Sequence, residues 1–156
     1  MNLVQAISAF AKPLLHSTVW YDWPIPDAKL PSGIVVKPGS SYQRNIDLKH
    51  ALHSAWIKGD KARRYELACF YVRDWGGIKR NSEDKLRRYA AASADELISN
   101  GYDGVATWSK ILCMHDPDRY AIFDARVSVA LNALQIIHHL KSRVLFFDHS
   151  QVRIRV

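Results

Sequence analysis

The sequence predicts a mainly α-helical protein, a single domain in which helices form an array around one core. Between residues 46 and 140, apolar residues recur at spacings of three and four, which is the period of an amphipathic helix. Serine or aspartate stands before several of these stretches and glycine after them, as helix capping favours. A chain of 156 residues is also long enough to bury its own core, so one domain, 1–156, is expected.

The first 45 residues predict one short helix followed by a long loop. Residues 2–11 place their large apolar side chains on one side of a helix, which would end before Pro13. Prolines and glycines then interrupt every period across residues 14–45. This proline-rich, aromatic segment predicts an ordered loop, or such a loop with one short strand at 33–37. Loops of this length within compact domains often carry function.

Helices are expected over most of the remaining chain, with short strands at its end. The expected helices span about 47–58, 60–75, 82–90, 93–100, 103–115 and 124–140. Asp47, Asp60 and Ser82 are the expected N-caps of the first three. The tail, 141–156, holds two apolar stretches around Asp148, which predict two short β-strands.

The positive charge of the chain predicts a polyanionic partner. The formal net charge is +7 and the pI is about 9.5, which creates a field that attracts nucleic acid. Residues 58–88 contain ten lysines and arginines against five aspartates and glutamates, an excess of five. DNA is therefore the expected partner, although the same charges also suit ordinary solvated helix faces.

Several other classes of protein are not expected from the composition. Two cysteines are too few for a disulfide framework or a four-thiolate iron–sulfur cluster within the chain. The histidines do not form a metal-ligand pattern, and no phosphate-binding glycine loop occurs, so no metal or other cofactor is expected. The apolar N-terminus is short and lacks a basic leader, which fits neither secretion nor a membrane. We expect a cytoplasmic monomer.

The most informative motif joins a glycine turn to an aspartate about twenty residues later. The segment Gly104-Val105-Ala106-Thr107 predicts a turn whose free backbone N–H groups begin a helix and favour an anion. Asp124 follows the apolar run Tyr120–Phe123 and begins another helix. This aspartate is either a simple N-cap or a partly desolvated carboxylate that activates water or stabilises a developing sugar cation.

These segments resemble the helix-hairpin-helix DNA glycosylase superfamily. That family has a Gly-hydrophobic-Gly turn, a helix, and a hydrophobic-Asp-x-x-hydrophobic segment that begins the next helix. Gly104-Val105-Ala106 is similar to the turn, with alanine in place of the second glycine, and Phe123–Val127 matches the later segment. The resemblance covers about 46–140 and implies a helix-hairpin-helix-like element in this core.

The resemblance also implies an activity and a site. The enzyme would flip a damaged or modified base out of DNA and cleave its bond to the sugar, as in base excision repair. Asp124 would be catalytic, and its reaction would leave an abasic site. The residues expected to hold the DNA strand are Gly104, Ala106, Thr107, Lys110 and Arg126.

Trp108 bears on the mechanism that the resemblance implies. Bifunctional members of the family carry a lysine at the corresponding position, which forms an imine with the sugar and allows strand cleavage. Tryptophan cannot form an imine, so water would be the nucleophile and the enzyme would be monofunctional. Lys110 lies about 200° further around the helix and does not replace that lysine.

A flipped base needs aromatic walls, and the chain supplies candidates for them. Trp108, Trp75, Tyr42 and Tyr120 are the expected base-pocket residues, although most aromatic side chains serve only as core. The segment Trp75-Gly76-Gly77-Ile78-Lys79-Arg80 is a second candidate contact with DNA. Its paired glycines allow close approach of the backbone, and Lys79 and Arg80 supply charge. The same segment is also compatible with a helix stop and two solvated cations.

Two other functions are compatible with the same residues. A non-catalytic nucleic-acid-binding module would use the basic helices and the glycine turn to hold phosphates, without any chemistry at Asp124. A structural or interaction subunit would have no affinity for nucleic acid.

Overall fold

The computed structural model describes residues 1–14, 21–141, 144 and 146 and is mainly helical, as the sequence predicts. No residue in these ranges belongs to a β-strand. The described part also contains a 3₁₀ turn, Asp27–Lys29, and a π-helical segment, Phe70–Trp75. The α-helices are α1 (Leu3–Leu14), α2 (Ser41–Lys58), α3 (Lys61–Cys69), α4 (Glu83–Ala91), α5 (Ala94–Ser99), α6 (Val105–His115) and α7 (Ala125–Ile137).

The chain forms two compact units. The smaller unit contains Met1–Trp20 and Phe123–Val156, so α1 and α7 are its helices. The larger unit, Tyr21–Ile122, contains α2 to α6. The single domain expected from the sequence stays a prediction. None of the described helices is both long and apolar enough to cross a membrane.

The core of the larger unit lies between α2, α3, α4 and α6. Helix α3 packs against α4, and α2 packs against α6. One face of α2 carries the apolar period seen in the sequence, and its large side chains are fully buried. Burying each such side chain stabilises the fold by about 2 kcal/mol. The fully buried large side chains of these four helices include Leu48, Leu52, Trp56, Leu67, Leu86 and Ile111.

Two helix boundaries differ from those predicted. Helix α2 begins at Ser41, so Asp47 lies inside it and the prediction of Asp47 as N-cap is wrong. The true N-cap is Ser40, which forms a capping box with Gln43, and this signal lies within the proline-rich segment. Helix α1 continues through Pro13 to Leu14, although proline has no N–H to donate to the carbonyl four residues earlier.

The other predicted boundaries agree more closely. Asp60, Ser82 and Ser93 cap α3, α4 and α5 through their side chains, and Asp124 caps α7. The strand considered at 33–37 is absent, and these residues continue the ordered loop. Most of the two strands predicted in the tail, 141–156, lies outside the described residues.

The smaller unit has a thin apolar core in its described part. Helix α1 packs against α7, and the buried apolar side chains there are Ala6, Leu134 and Leu140. Val129 and Ile137, predicted on the inner side of α7, are 49% and 66% exposed. The apolar residues of α7 therefore do not all face one core.

The side chain of Asn45 fixes the proline-rich loop to the helices of the larger unit. This asparagine is 2% exposed, and both the oxygen and the nitrogen of its side-chain amide form hydrogen bonds. Its Oδ1 accepts a hydrogen bond from the indole N–H of Trp75 at 2.7 Å. Its Nδ2 donates to the carbonyl oxygens of Trp23 and Ser41, each at 2.8 Å. Three separate segments are thus held by one buried side chain.

We expect Asn45→Ala to lower the free energy of unfolding by about 2–3 kcal/mol, because it leaves the buried Trp75 N–H without its acceptor. Urea denaturation followed by circular dichroism measures this loss. Ser54→Ala, at an exposed position on the same helix, is the control and should change stability by less than about 0.5 kcal/mol. Equal effects of the two substitutions would contradict the role given to Asn45.

Candidate functional site

The turn predicted at Gly104 is present and joins two helices. Helices α5 and α6 pack against each other, and residues 100–104 connect them. Gly101 and Gly104 have φ angles of +58° and +68°, which favour glycine over residues with a side chain. Gly104 is the N-cap of α6, so the helix begins at Val105, two residues later than the sequence predicts.

The turn leaves two backbone donors at the start of α6. The N–H groups of Thr107 and Trp108 both bond to the Gly104 carbonyl, at 2.8 and 3.1 Å. The N–H groups of Gly104 and Ala106 have no backbone acceptor among the described residues. These donors lie at the positive end of the helix dipole, where an anion is stabilised.

Two side chains from α4 lie against this turn. A Cβ atom built on Gly104 would be 2.8 Å from the Tyr89 hydroxyl oxygen and 3.0 Å from the Lys85 ammonium nitrogen. A larger residue at position 104 would therefore displace the ends of these two side chains. The hydroxyl of Tyr89 is buried and has no hydrogen-bond partner in the described part of the chain. Lys85 thus adds a cation to the backbone donors, and the Tyr89 hydroxyl lies buried beside Gly104.

Sequence reasoning missed Lys85 and Tyr89. The two residues are four apart on α4 and so share a face of that helix, but nothing local connects that face to a turn fifteen or more residues later. A cleft of about 410 Å³ lies between α4 and α5. Its lining residues are Arg88, Tyr89, Ala91, Ala92, Glu96 and Asn100.

Thr107 and Trp108, predicted to contact DNA, are buried in this region. Thr107 is 3% exposed and accepts a hydrogen bond from Asn81 Nδ2 at 2.8 Å. Trp108 is 9% exposed, and its indole N–H donates to the Asp103 carbonyl at 3.1 Å. Both side chains are therefore buried in the larger unit, and the Trp108 indole holds the backbone of the turn at Asp103.

Lys110 connects the turn helix to the second predicted contact segment. Its side chain is 4% exposed, and its ammonium group donates to the Ala106 carbonyl at 2.9 Å. A Cβ atom on Gly76 would be 2.6 Å from Lys110 Cε, so the paired glycines let this side chain pass. The structure thus brings together two segments that were predicted separately.

The Trp75–Arg80 segment begins at the last residue of the π-helical segment. Trp75 is buried and stacks on Tyr71, with ring centroids 4.5 Å apart. Burial raises the pKa of Tyr71 well above its ordinary value. Lys79 and Arg80 are exposed, as phosphate contacts need to be. π-helical turns often occur at functional sites, and here one ends beside Gly76.

Tyr42 and Tyr120, also predicted for a base pocket, are half-buried at other places in the larger unit. The Tyr42 ring meets Tyr21 edge-on at 6.0 Å, and the Arg119 guanidinium lies over the Tyr120 ring at 5.2 Å. The base pocket made from these residues stays a prediction. A second cleft of about 270 Å³ opens at the proline-rich loop, with Trp23 in its wall.

Asp124 begins α7 in the smaller unit and is half-buried. Its Oδ1 accepts hydrogen bonds from the backbone N–H groups of Arg126 and Val127, at 3.0 and 3.2 Å. Its Oδ2 accepts none from the described residues. Asp124 is thus an N-cap that retains one carboxylate oxygen for other use. Arg126 is exposed. The pairing of Asp124 with the Gly104 turn stays a prediction, because the turn belongs to the larger unit.

The Cys113 thiol and the His115 ring on α6 have shifted pKa values, and burial is the main cause of both shifts. Burial raises the pKa of the Cys113 thiol to about 11, against the opposing effect of Lys49 and Lys110. Burial, and then the nearby Arg64 cation, lower the pKa of His115. His115 lies 5.3 Å from the Trp56 ring, between centroids. No group of three or more metal-ligating side chains occurs in the described ranges.

Comparison with protein-family models, with curated proteins and with solved structures finds no match to this chain.

The lowered pKa of His115 predicts a loss of stability in weak acid. The unfolded chain takes up a proton at His115 near pH 6.5, whereas the folded chain takes it up only at lower pH. The free energy of unfolding should therefore fall as the pH drops below about 6.5. In His115→Gln this contribution disappears, so the difference in stability between variant and wild type should change between pH 7 and pH 5. Parallel stability curves in urea titrations over that range would contradict this prediction.

Proposed function

We propose that this protein is a helix-hairpin-helix-type DNA glycosylase that hydrolyses the bond between a damaged or modified base and its sugar. The observation that carries the proposal is the α5–turn–α6 hairpin. Its Gly104 and Ala106 N–H groups lie at a helix N-terminus and have no backbone acceptor among the described residues, and Lys85 and Tyr89 lie beside Gly104. Backbone donors and a nearby cation are groups that hold a DNA phosphate.

Phosphate binding at this turn would fix one strand without reading its sequence. Lys85 supports it with a full positive charge, and its nearest carboxylate oxygen, on Asp103, is 3.9 Å away. The Tyr89 hydroxyl is buried beside Gly104, so Tyr89 supports the turn and does not itself meet a phosphate.

Asp124 would carry out the chemistry. Its Oδ1 is held by two backbone N–H groups, which orients the carboxylate, and its Oδ2 is the oxygen that would act. In the proposed reaction Oδ2 accepts a proton from water as the water oxygen bonds to C1′ of the sugar. The bond from C1′ to the base breaks, and the base leaves with the electron pair and takes up a proton from solvent, while Asp124 releases its proton to solvent. The negative carboxylate also stabilises the positive charge that develops on the sugar.

The products would be a free base and an abasic site in an uncut strand. By the resemblance, Trp108 corresponds to the family's imine-forming lysine, and the Lys110 ammonium donates a hydrogen bond to the Ala106 carbonyl. Neither residue favours an imine with the sugar, so the proposal is a monofunctional enzyme. It would need no metal or organic cofactor.

We expect Asp124→Asn to lower the rate of base release by about 10²-fold or more, the usual contribution of a positioned acid or base. Duplex oligonucleotides that each carry one oxidised, deaminated or alkylated base are incubated with the protein. The strands should be intact before alkali and broken at the modified base after it.

The control is Asp60→Asn. Asp60 caps α3 through a bond to the Arg63 N–H at 2.8 Å, so it has the same structural role as Asp124. Asparagine caps helices as well as aspartate does, and both variants should fold. An Asp124→Asn protein as active as Asp60→Asn would exclude the proposed chemistry.

A non-catalytic nucleic-acid-binding module is the second candidate. It is favoured by the capping bonds of Asp124, which account for that residue without any reaction. This module would bind DNA in a salt-dependent way, would be unaffected by Asp124→Asn, and would release no base.

Lys85→Ala should weaken DNA binding by about tenfold at low salt, because it removes a charge-assisted contact of roughly 1.4 kcal/mol. Fluorescence anisotropy with a labelled duplex measures the change. Lys61→Ala removes the same charge from an exposed position on α3 and is the control. If both variants bind equally, the Gly104 turn is not the phosphate site, and both candidate functions lose their main support.

A further inference from the structure

Tyr102 lies exposed in the turn that precedes α6. This residue is 68% exposed, whereas Trp108 at the other side of the turn is 9% exposed and belongs to the core. Tyr102 stands between Gly101 and Gly104, the two turn glycines with positive φ angles. Single exposed apolar residues are common on protein surfaces, so exposure alone does not assign a role to it. Its place beside the backbone donors of Gly104 and Ala106 distinguishes it from the others.

The backbone around Tyr102 is held by hydrogen bonds. The Tyr102 carbonyl accepts one from the Val105 N–H at 3.3 Å. The Asp103 N–H donates to the Asn100 carbonyl at 3.2 Å, and the Trp108 indole N–H donates to the Asp103 carbonyl at 3.1 Å. Because the turn is already ordered, a ligand that contacts Tyr102 pays little for ordering this part of the chain.

Cationic side chains flank the same turn. Lys85 lies beside Gly104, and Arg88 lines the cleft of about 410 Å³ between α4 and α5. Arg88 is exposed and forms no salt bridge with any residue that the structure describes. The turn therefore presents an exposed aromatic ring with backbone N–H donors and positive charge near it.

This combination is the one with which proteins bind single-stranded nucleic acid. A base stacks on the aromatic ring, while cations follow the sugar-phosphate backbone. In a paired duplex both faces of each base are covered by its neighbours, so a ring beside a bound phosphate meets a base face only if that base is unstacked. A nucleotide that is already unpaired avoids this cost, and Tyr102 therefore favours it.

We propose that Tyr102 stacks on an unpaired base whose adjacent phosphate lies at the Gly104 and Ala106 N–H groups, so that the protein binds single-stranded DNA more tightly than a paired duplex. This inference rests on the proposed function for the phosphate site at the turn. It adds the class of substrate, DNA with an unpaired base at the turn, and the residue that selects it. It does not depend on the reaction at Asp124.

Anisotropy titrations with three labelled probes of equal length test the stacking. The probes are oligothymidylate, a strand of abasic sugar-phosphates, and the paired duplex of oligothymidylate with oligoadenylate. The titrations use physiological salt, because low salt exaggerates contacts made by phosphates alone. The wild type should bind oligothymidylate about tenfold more tightly than either other probe, which lies within the usual contribution of one base stacked on an aromatic ring.

Substitutions at Tyr102 separate stacking from a structural role. Tyr102→Ala should weaken binding of oligothymidylate about tenfold and leave binding of the abasic strand unchanged. Tyr102→Phe keeps the ring and should bind like the wild type. Tyr102→Leu keeps an apolar side chain without a flat ring and should behave like Tyr102→Ala. Val35→Ala removes a 76% exposed apolar side chain elsewhere in the larger unit and is the matched control, which should bind all three probes like the wild type.

Three results would overturn the proposal. They are a wild type that binds the duplex as tightly as oligothymidylate, a Tyr102→Ala or Tyr102→Leu protein that binds oligothymidylate like the wild type, and an equal loss on the abasic strand. The last result would show that Tyr102 only maintains the turn. Failure of the proposed function has different signs, because Lys85→Ala would then bind like Lys61→Ala, or Asp124→Asn would release bases at the wild-type rate, whatever the Tyr102 variants do.

Discussion

The larger unit depends on one buried amide, the side chain of Asn45. Its three hydrogen bonds join the start of α2, the proline-rich loop and the end of the π-helical segment. A buried polar group is costly unless all its partners are present, so the three segments must take up this arrangement together or lose it together. The Gly76 backbone that lies against Lys110 begins directly after Trp75, one of these partners. The candidate contact segment is therefore held in position by a loop far away in sequence.

The helices could be predicted because their signals are local. Asp60, Ser82 and Ser93 stand at the caps that their side chains predict, and the apolar period of α2 matches its buried face. The start of α2 was missed because the Ser40–Gln43 capping box is hidden among prolines and glycines. The π-helical turn could not be predicted, since its sequence has the apolar content of an ordinary helix and the extra residue per turn is decided by packing.

The candidate site was predictable only in part, for a similar reason. Gly104 could be recognised because a left-handed turn before a helix requires glycine. Lys85 and Tyr89 could not, because their approach to that turn depends on how α4 packs in the larger unit. Lys110 was expected to meet solvent and DNA, yet its stem is buried against Gly76, which no local pattern indicates. The chemistry at Asp124 was inferred from the family resemblance, whereas its role as the N-cap of α7 was inferred from the local sequence.

The environment of Cys113 has a consequence for how the chain meets oxidants. The thiol donates to the Tyr120 carbonyl at 3.0 Å, and burial raises its pKa to about 11. The thiolate is the form that reacts with peroxides and disulfides, and near neutral pH this cysteine has almost none of it. Oxidative damage to the sulfur atoms of this chain should therefore begin elsewhere, and the helix beneath the glycine turn is protected from a lesion that would otherwise disrupt its packing.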